Sequence, residues 1–253
     1  MIVSHRREIA TRIMMVLGAG LVVSAVVLLM GQSNAAAPPA RMAAAVEVAS
    51  LPAAVAATTT TPIVGAPPTD RVDSGWAARL SAATGVPARA LLAYASADLT
   101  VDAEQPGCGL GWNTVAAIGA IESAHGTLDG GQLGPDGYPV PAIRGPALDG
   151  GAYAGIHDSD AGVWDGDADW DRAVGPMQFI PTTWAKWGAD GNGDGIADPN
   201  QIDDAALATA RYLCASGSVT GTQNWRAAVF SYNHLDSYVD DVAAIANHYR
   251  AAG

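Results

Sequence analysis

Basic side chains are scarce in this chain: 13 Lys and Arg stand against 25 Asp and Glu. The imbalance deepens after residue 69, where nine basic side chains face 23 acidic ones, a net of −14. Phosphate backbones are bound by clustered Lys and Arg, so nucleic acid is excluded as a partner. The same shortage leaves no basic patch for anionic lipid headgroups. Cysteine is nearly absent, and Cys108, the first of two, lies far beyond the N-terminal apolar run. A lipid-modified N-terminus is thereby excluded. The Gly-rich stretches around Gly130 and Gly150 lack the lysine of a phosphate loop. His125 and His234 have no partner ligands at transition-metal spacing and read as ordinary capping or surface histidines.

The N-terminus is built differently from the rest. Arg6, Arg7 and Arg12 precede a mostly apolar run from Ile13 to Met30, and small residues follow from Gly31 to Ala37. This is the layout of an export signal, and residues 1–34 are read as a signal peptide or an uncleaved membrane anchor. Residues 35–69 are Ala, Pro, Thr and Val with almost no charge, including Thr58-Thr59-Thr60-Thr61-Pro62. Prolines break any helix there, so the stretch reads as an extended tether. Residues 70–253 then form the folded unit, long enough for one core. An exported domain with two cysteines invites the bridge Cys108–Cys214, worth up to ~4–5 kcal/mol in the chain-entropy description.

The folded unit reads as helical with one irregular stretch. Asp73 or Ser74 caps a helix that stops near Gly85, and a second begins at Pro87. Asn113 or Thr114 caps a segment from Val115 to His125, which Gly126 terminates. Residues 129–171 are rich in Gly, Asp and Pro, have no period, and leave room for short strands or loops only. Helices follow after Pro181, from Asp203 or Asp204 to Cys214, from Asn224 to Phe230, and from Asp236 onward with Val239, Val242, Ile245 and Tyr249 on one side. No strand–helix alternation appears. The expected fold is a mainly α single domain with a loop-rich insertion.

Glu104 and Glu122 are the two glutamates of the folded unit. The apolar positions 115, 118 and 119 lead to Glu122, which therefore falls on a buried stripe between Ile118 and Ile121. A carboxyl placed there loses hydration and stays protonated near neutral pH, as a general acid in glycoside cleavage requires. A buried carboxylate paired with an arginine would show the same pattern.

Three blocks separate these readings: Ala120-Ile121-Glu122-Ser123-Ala124-His125-Gly126, then Ala173-Val174-Gly175-Pro176-Met177-Gln178-Phe179-Ile180-Pro181, then Phe230-Ser231-Tyr232-Asn233-His234. Together, in this order, they resemble the lytic transglycosylases, and most closely the membrane-bound B type. The resemblance implies an α+β lysozyme-like fold and a lyase cleaving the β-1,4 bond between N-acetylmuramic acid and N-acetylglucosamine of peptidoglycan. It makes Glu122 the acid/base, with Gln178, Tyr232 and Asn233 lining the cleft. Ser123 is a further candidate substrate contact, with a hydroxyl bonded back to its own helix as the alternative. Met177 and Phe179 are candidate walls of the saccharide groove, with core packing as the alternative. Catalysis needs no cofactor. The protein is expected in the cell envelope or outside the cell, as a monomer, attached to a membrane only through its N-terminal segment.

Asp190-Gly191-Asn192-Gly193-Asp194-Gly195-Ile196 matches the first half of an EF-hand loop, with oxygen ligands at positions 1, 3 and 5 and glycine at 6. Asp190, Asn192, Asp194 and the Ile196 carbonyl would hold structural Ca²⁺. Gln201 stands where the closing glutamate usually sits, which leaves Asp204 to close a lengthened loop and Asp203 and Asp198 as rivals. The resemblance implies such a site too. The Asp-rich stretch from Asp158 to Asp171 reads as a solvated loop rather than a second cation site, and Arg172 as a partner for one of its aspartates or for substrate. Two other functions fit less well: a muramidase with Asp169 or Asp171 as base, and a non-catalytic wall-binding module.

Overall fold

The computed structural model describes residues 68–253. The export segment and almost all of the tether lie outside the described residues. A short 3₁₀ turn, Pro68–Arg71, leads into seven α-helices: α1 (Ser74–Thr84), α2 (Ala88–Glu104), α3 (Trp112–Ser123), α4 (Pro181–Trp187), α5 (Ile202–Cys214), α6 (Thr222–Tyr232) and α7 (Asp236–Ala252). Two-residue strands β1 (Gln132–Leu133) and β2 (Pro139–Val140) pair antiparallel, with Gln132 opposite Val140. The fold is mainly α, as expected, and a single domain around one hydrophobic cluster. Among the described residues no helix is long and apolar enough to cross a membrane.

Helix α3 runs through the middle, packed chiefly on α7 and α2, while α2 packs on α5. Val115, Ala116, Ala117, Ile118 and Gly119 are all enclosed, and so are Asn113, Thr114 and Ser123. The one-sided stripe expected from the sequence is thus a helix apolar nearly all round, the pattern of a central helix. Ala120 and Glu122 are its two partly exposed positions, so Glu122 faces an opening rather than the core.

Ends of helices follow from local chemistry, with some corrections. Asp73 caps α1 by accepting from the N–H of Gly75 at 2.7 Å and of Trp76 at 3.2 Å, and Gly85 ends it at φ 77°. Neither Asn113 nor Thr114 caps α3; the helix begins at Trp112, whose N–H donates to Asp98 of α2 at 2.9 Å. Asn113 instead donates to the Ala246 carbonyl of α7, and Thr114 accepts from the Trp225 indole of α6. Helix α3 stops two residues short of His125 because Ala124, His125 and Gly126 all take left-handed φ, at 50°, 63° and 81°. Gln201, not Asp203 or Asp204, caps α5.

The expected bridge is present: Cys108, in the loop between α2 and α3, is bonded to Cys214 at the end of α5, with Cα atoms 5.6 Å apart. It ties the start of the central helix to the end of α5. The 129–171 stretch holds β1, β2 and a ladder of isolated bridges, among them Arg144–Val174 and His157–Trp170. That ladder leads from the hairpin back to the Val174–Phe179 segment, itself closed by two backbone hydrogen bonds.

Candidate active site

Glu122 sits in the last turn of α3 at the opening noted above. The Tyr238 hydroxyl of α7 donates to its Oε1 at 2.6 Å. Loss of hydration raises the carboxyl to about 7, and the Tyr238 hydrogen bond opposes part of that rise by favouring the charged form. Among the described residues no arginine contributes to its shift, and Arg89, Arg172, Arg211 and Arg226 pair instead with Asp203, Asp167, Glu104 and Asp240. The alternative of a buried carboxylate neutralised by an arginine is therefore not what the fold builds. Glu104, the other glutamate, is a surface partner of Arg211 at 2.6 Å.

The second and third sequence blocks reach the same end of α3, through the Ser123–Pro176 hydrogen bond and through Tyr232. Tyr232, the last residue of α6, faces Glu122 closely enough for the carboxylate charge to raise the phenol further, after the larger effect of burial. Its hydroxyl donates to the Met177 carbonyl at 2.7 Å, so its proton is committed inside the protein. Asn233 caps α6, and its Oδ1 is buried without a hydrogen-bond partner. A buried orphan acceptor is costly unless a ligand supplies the donor. Gln178 holds a left-handed backbone at φ 52°, and its Nε2 donates to the Gly175 carbonyl at 2.8 Å. Backbone strain of this kind, on the order of 1–3 kcal/mol, persists where surrounding structure imposes it and gathers at working sites.

Three candidate contacts change role. Ser123 is fully buried; its hydroxyl donates to the Pro176 carbonyl at 2.6 Å and accepts from Gly126 N–H at 2.7 Å. It stitches the end of α3 to the 175–178 block, rather than touching substrate or bonding back to its helix. Met177 is sealed in the core, and Phe179 packs edge-on against Trp184 and Tyr232. Neither lines a groove. Alternating apolar and polar residues in a short block could not say which of them face inward.

Tyr238, bonded directly to Glu122, is the neighbour that the sequence did not mark. It follows the Tyr-Asn pair by five residues and shares the apolar face of α7 with Val242, but its hydroxyl meets Glu122 only through the α3–α7 crossing. His125 also differs from expectation, being buried between two tyrosines rather than a surface or capping residue.

The acidic loop is a separate unit. Asp190 accepts from the N–H groups of Gly193 at 2.7 Å and Gly195 at 2.8 Å, and Asp194 from that of Ile196 at 2.8 Å. Asp204 reaches back from α5, with Oδ1 accepting from Gly191 N–H at 2.7 Å and Oδ2 from Asp198 N–H at 2.9 Å. Asp204 is fully enclosed; burial raises its carboxyl to about 6, and the nearby Asp190 charge adds to that against the backbone hydrogen bonds. The rival closers are occupied elsewhere: Asp203 pairs with Arg89, and Asp198 accepts from Asn200. Gln201, at the usual glutamate position, caps α5 and donates to the Asp136 carbonyl of the hairpin turn. The donor set is all oxygen and net negative, which fits a hard divalent cation such as Ca²⁺.

The Asp-rich stretch is more ordered than a solvated loop. Oxygens of Asp158, Asp160 and Asp171 lie within 4.8 Å of one another. Asp171 is buried and accepts from both the N–H and the hydroxyl of Ser159, while Arg172 pairs with Asp167 at 2.7 Å.

Residues 157–248 match the family model described as the transglycosylase SLT domain. The match takes in Gln178, the acidic loop, Tyr232, Asn233 and Tyr238, and begins after Glu122. The matched segment is less than half of the chain and is similar to that domain. Comparisons with curated proteins and with solved structures give no match.

Proposed function

We propose that the protein is a peptidoglycan lytic transglycosylase that cuts the β-1,4 bond between N-acetylmuramic acid and N-acetylglucosamine, using Glu122 alone as acid and then base. The observation that carries the reading is a carboxyl held near pKa 7 by burial, at an opening, with a tyrosine and no cation on it. Protonated, Glu122 gives its proton to the leaving glycosidic oxygen. Ionised, it takes the proton of the muramoyl C6 hydroxyl as that oxygen attacks C1 and closes a 1,6-anhydro ring. The Tyr238 hydroxyl, donating to Oε1, stabilises the carboxylate between these steps. The unpartnered Oδ1 of Asn233 accepts a hydrogen bond from a sugar N–H or O–H, and Gln178 borders the same cleft.

A hydrolase needs a second carboxylate beside a water. Asp171 is sealed and bonded to Ser159, which weighs against it as the base of a muramidase; Asp169 is exposed, and product masses decide for or against it. Asp190, Asn192, Asp194, the Ile196 carbonyl and Asp204 hold structural Ca²⁺, while the chemistry itself uses no cofactor. The protein acts in the cell envelope as a monomer, exported by residues 1–34, which lie outside the described residues.

The test is mass analysis of purified peptidoglycan digested by the full-length protein. The expected ends are lighter by one water than hydrolysed ends, and Glu122→Gln releases none of them. Hydrolysed ends would reassign the enzyme as a muramidase; equal release by wild type and variant would leave a binding module.

A further inference from the structure

His125 lies three residues beyond Glu122 and takes no part in the chemistry above. Its backbone is left-handed at φ 63°, where a residue with a side chain is strained. Its imidazole is buried, and both ring nitrogens are engaged. Nδ1 is 3.1 Å from the Tyr94 hydroxyl of α2, and Nε2 is 2.9 Å from the Tyr249 hydroxyl of α7. Tyr94 is fully enclosed, and its hydroxyl has no other hydrogen-bond partner among the described residues. A buried hydroxyl with one partner directs its proton there, so Nδ1 accepts. Nε2 then carries the ring hydrogen and donates to Tyr249. An imidazolium, a donor at both nitrogens, would strand the Tyr94 proton, and burial accordingly holds His125 down to about 3.

Tyr94 in turn bears on Glu122. A side chain at Gly119, one turn before Glu122, would overlap the Tyr94 hydroxyl and ring. The hydroxyl is thus clasped between the Gly119 Cα and His125. Tyr94 also lies within electrostatic reach of Tyr232, and Tyr232 of Glu122. Phenols from α2, α6 and α7 therefore gather at the end of α3 that carries Glu122.

We propose that His125, as the neutral Nε2–H tautomer, is a positioning residue: it pins the Tyr94 hydroxyl behind α3 and so keeps water from the back of Glu122. The proposal rests on Glu122 being the general acid. Tyr238 and Tyr232 are the titratable groups that face Glu122, with Tyr94 behind them; burial and Tyr238 account for its shift.

The experiment is NMR on the full-length protein, following the His125 ring nitrogens and the Glu122 carboxyl carbon across pH. The imidazole should stay in the Nε2–H form from about pH 4 to 8; a ring that titrates there, or carries its hydrogen on Nδ1, overturns the proposal. Tyr94→Phe deletes one oxygen and should lower the Glu122 midpoint by about one pH unit, cutting kcat/KM roughly tenfold at pH 8. Tyr249→Phe, on the far side of the ring, should lower the melting temperature and leave that midpoint in place. His125→Asn keeps a polar group near the Nδ1 position and tolerates the left-handed backbone, so its midpoint should stay closer to wild type than that of His125→Leu. If all four variants lose stability while the Glu122 midpoint stays fixed, His125 is structural only and the proposal fails. A wild-type protein that releases no glycan but shows these midpoint shifts would sink the enzymatic reading and leave the pinning intact.

Discussion

Helix α3 has a buried carboxyl at each end. At its N-terminal end Asp98 accepts from Trp112 N–H, is 3 % exposed, and has a second oxygen with no partner. Burial, with the neighbouring Asp102 charge, raises it to about 8. At the C-terminal end Glu122 is raised to about 7 by the same loss of hydration. The two groups share a protonation state and differ in access. Asp98 is sealed at the start of α3, where a neutral acid can only hold a helix start. Glu122 is partly open and has a phenol ready to stabilise its charged form. Desolvation makes an acid; the opening and the tyrosine make that acid usable in both directions.

The largest test of this contrast is Glu122→Gln. General acid–base groups contribute about 10²–10⁴-fold to rate, and one serving both steps should sit at the upper end, so glycan release should fall at least ~10³-fold. Stability should move the other way. The folded state keeps a proton that the unfolded chain gives up near its ordinary carboxyl range, so the Glu122 contribution to stability falls as pH rises toward about 7. Chemical denaturation at pH 8 should find Glu122→Gln more stable by about 1–3 kcal/mol, and near pH 4 by nothing measurable. A variant with no activity and no gain at pH 8 would break the link between burial and function.

Calcium removal should separate the two ends again. Asp204 links the acidic loop to α5, α5 ends at Cys214, and Cys214 is bridged to Cys108 ahead of α3. Gly175 meanwhile packs against the Pro199 backbone just after the loop. Chelation should lower the melting temperature by several degrees, about what 1–3 kcal/mol produces in a domain of this size. The high-pH limb of kcat/KM should stay near 7. An unchanged melting curve would remove Ca²⁺ from the account.

Asp98→Asn isolates the sealed end. Its raised carboxyl makes stability fall between about pH 4 and pH 8, by the same sign as for Glu122. The asparagine oxygen can still accept from Trp112 N–H. The variant should therefore equal wild type near pH 4, gain on the order of 1–2 kcal/mol above pH 8, and keep its pH–rate profile. A shifted rate profile would mean the ends of α3 are coupled, not independent.

These contrasts were legible in the sequence to different depths. Helix existence, the Gly85 stop, the disulfide and the irregular 129–171 stretch follow from local patterns, whereas the choice of Asp204 over Asp203 and Asp198 as the residue reaching into the loop needed the fold. Caps made across the fold are not local either: Asp98 serves α3 from another helix, and Gln201 takes the place expected of Asp203 or Asp204. Periodicity marked Glu122 as facing the core, because a helix enclosed on nearly every side gives no contrast between faces. Ser123, Met177 and Phe179 sit in a matching block yet turn inward, and block membership says nothing about direction. Tyr238 meets Glu122, and His125 meets Tyr249, across separations of 116 and 124 residues, and even the His125–Tyr94 contact spans 31. No spacing rule reaches that far.

The finest test addresses the one hydrogen bond that sets Glu122 apart from Asp98. Tyr238 donates to Oε1 and favours the carboxylate, so it lowers a pKa that burial has raised. Tyr238→Phe keeps the ring and removes the donor. The Glu122 midpoint should then rise by roughly half to one pH unit, moving the high-pH limb of kcat/KM upward from about 7. Below pH 6, where the acid is already protonated, kcat should still fall by about 2- to 10-fold, because the carboxylate formed on proton donation loses its stabilising partner. A limb that moves downward, or a variant with wild-type kcat at pH 5, would show that Tyr238 only packs against Glu122. Access alone would then distinguish the two ends of α3.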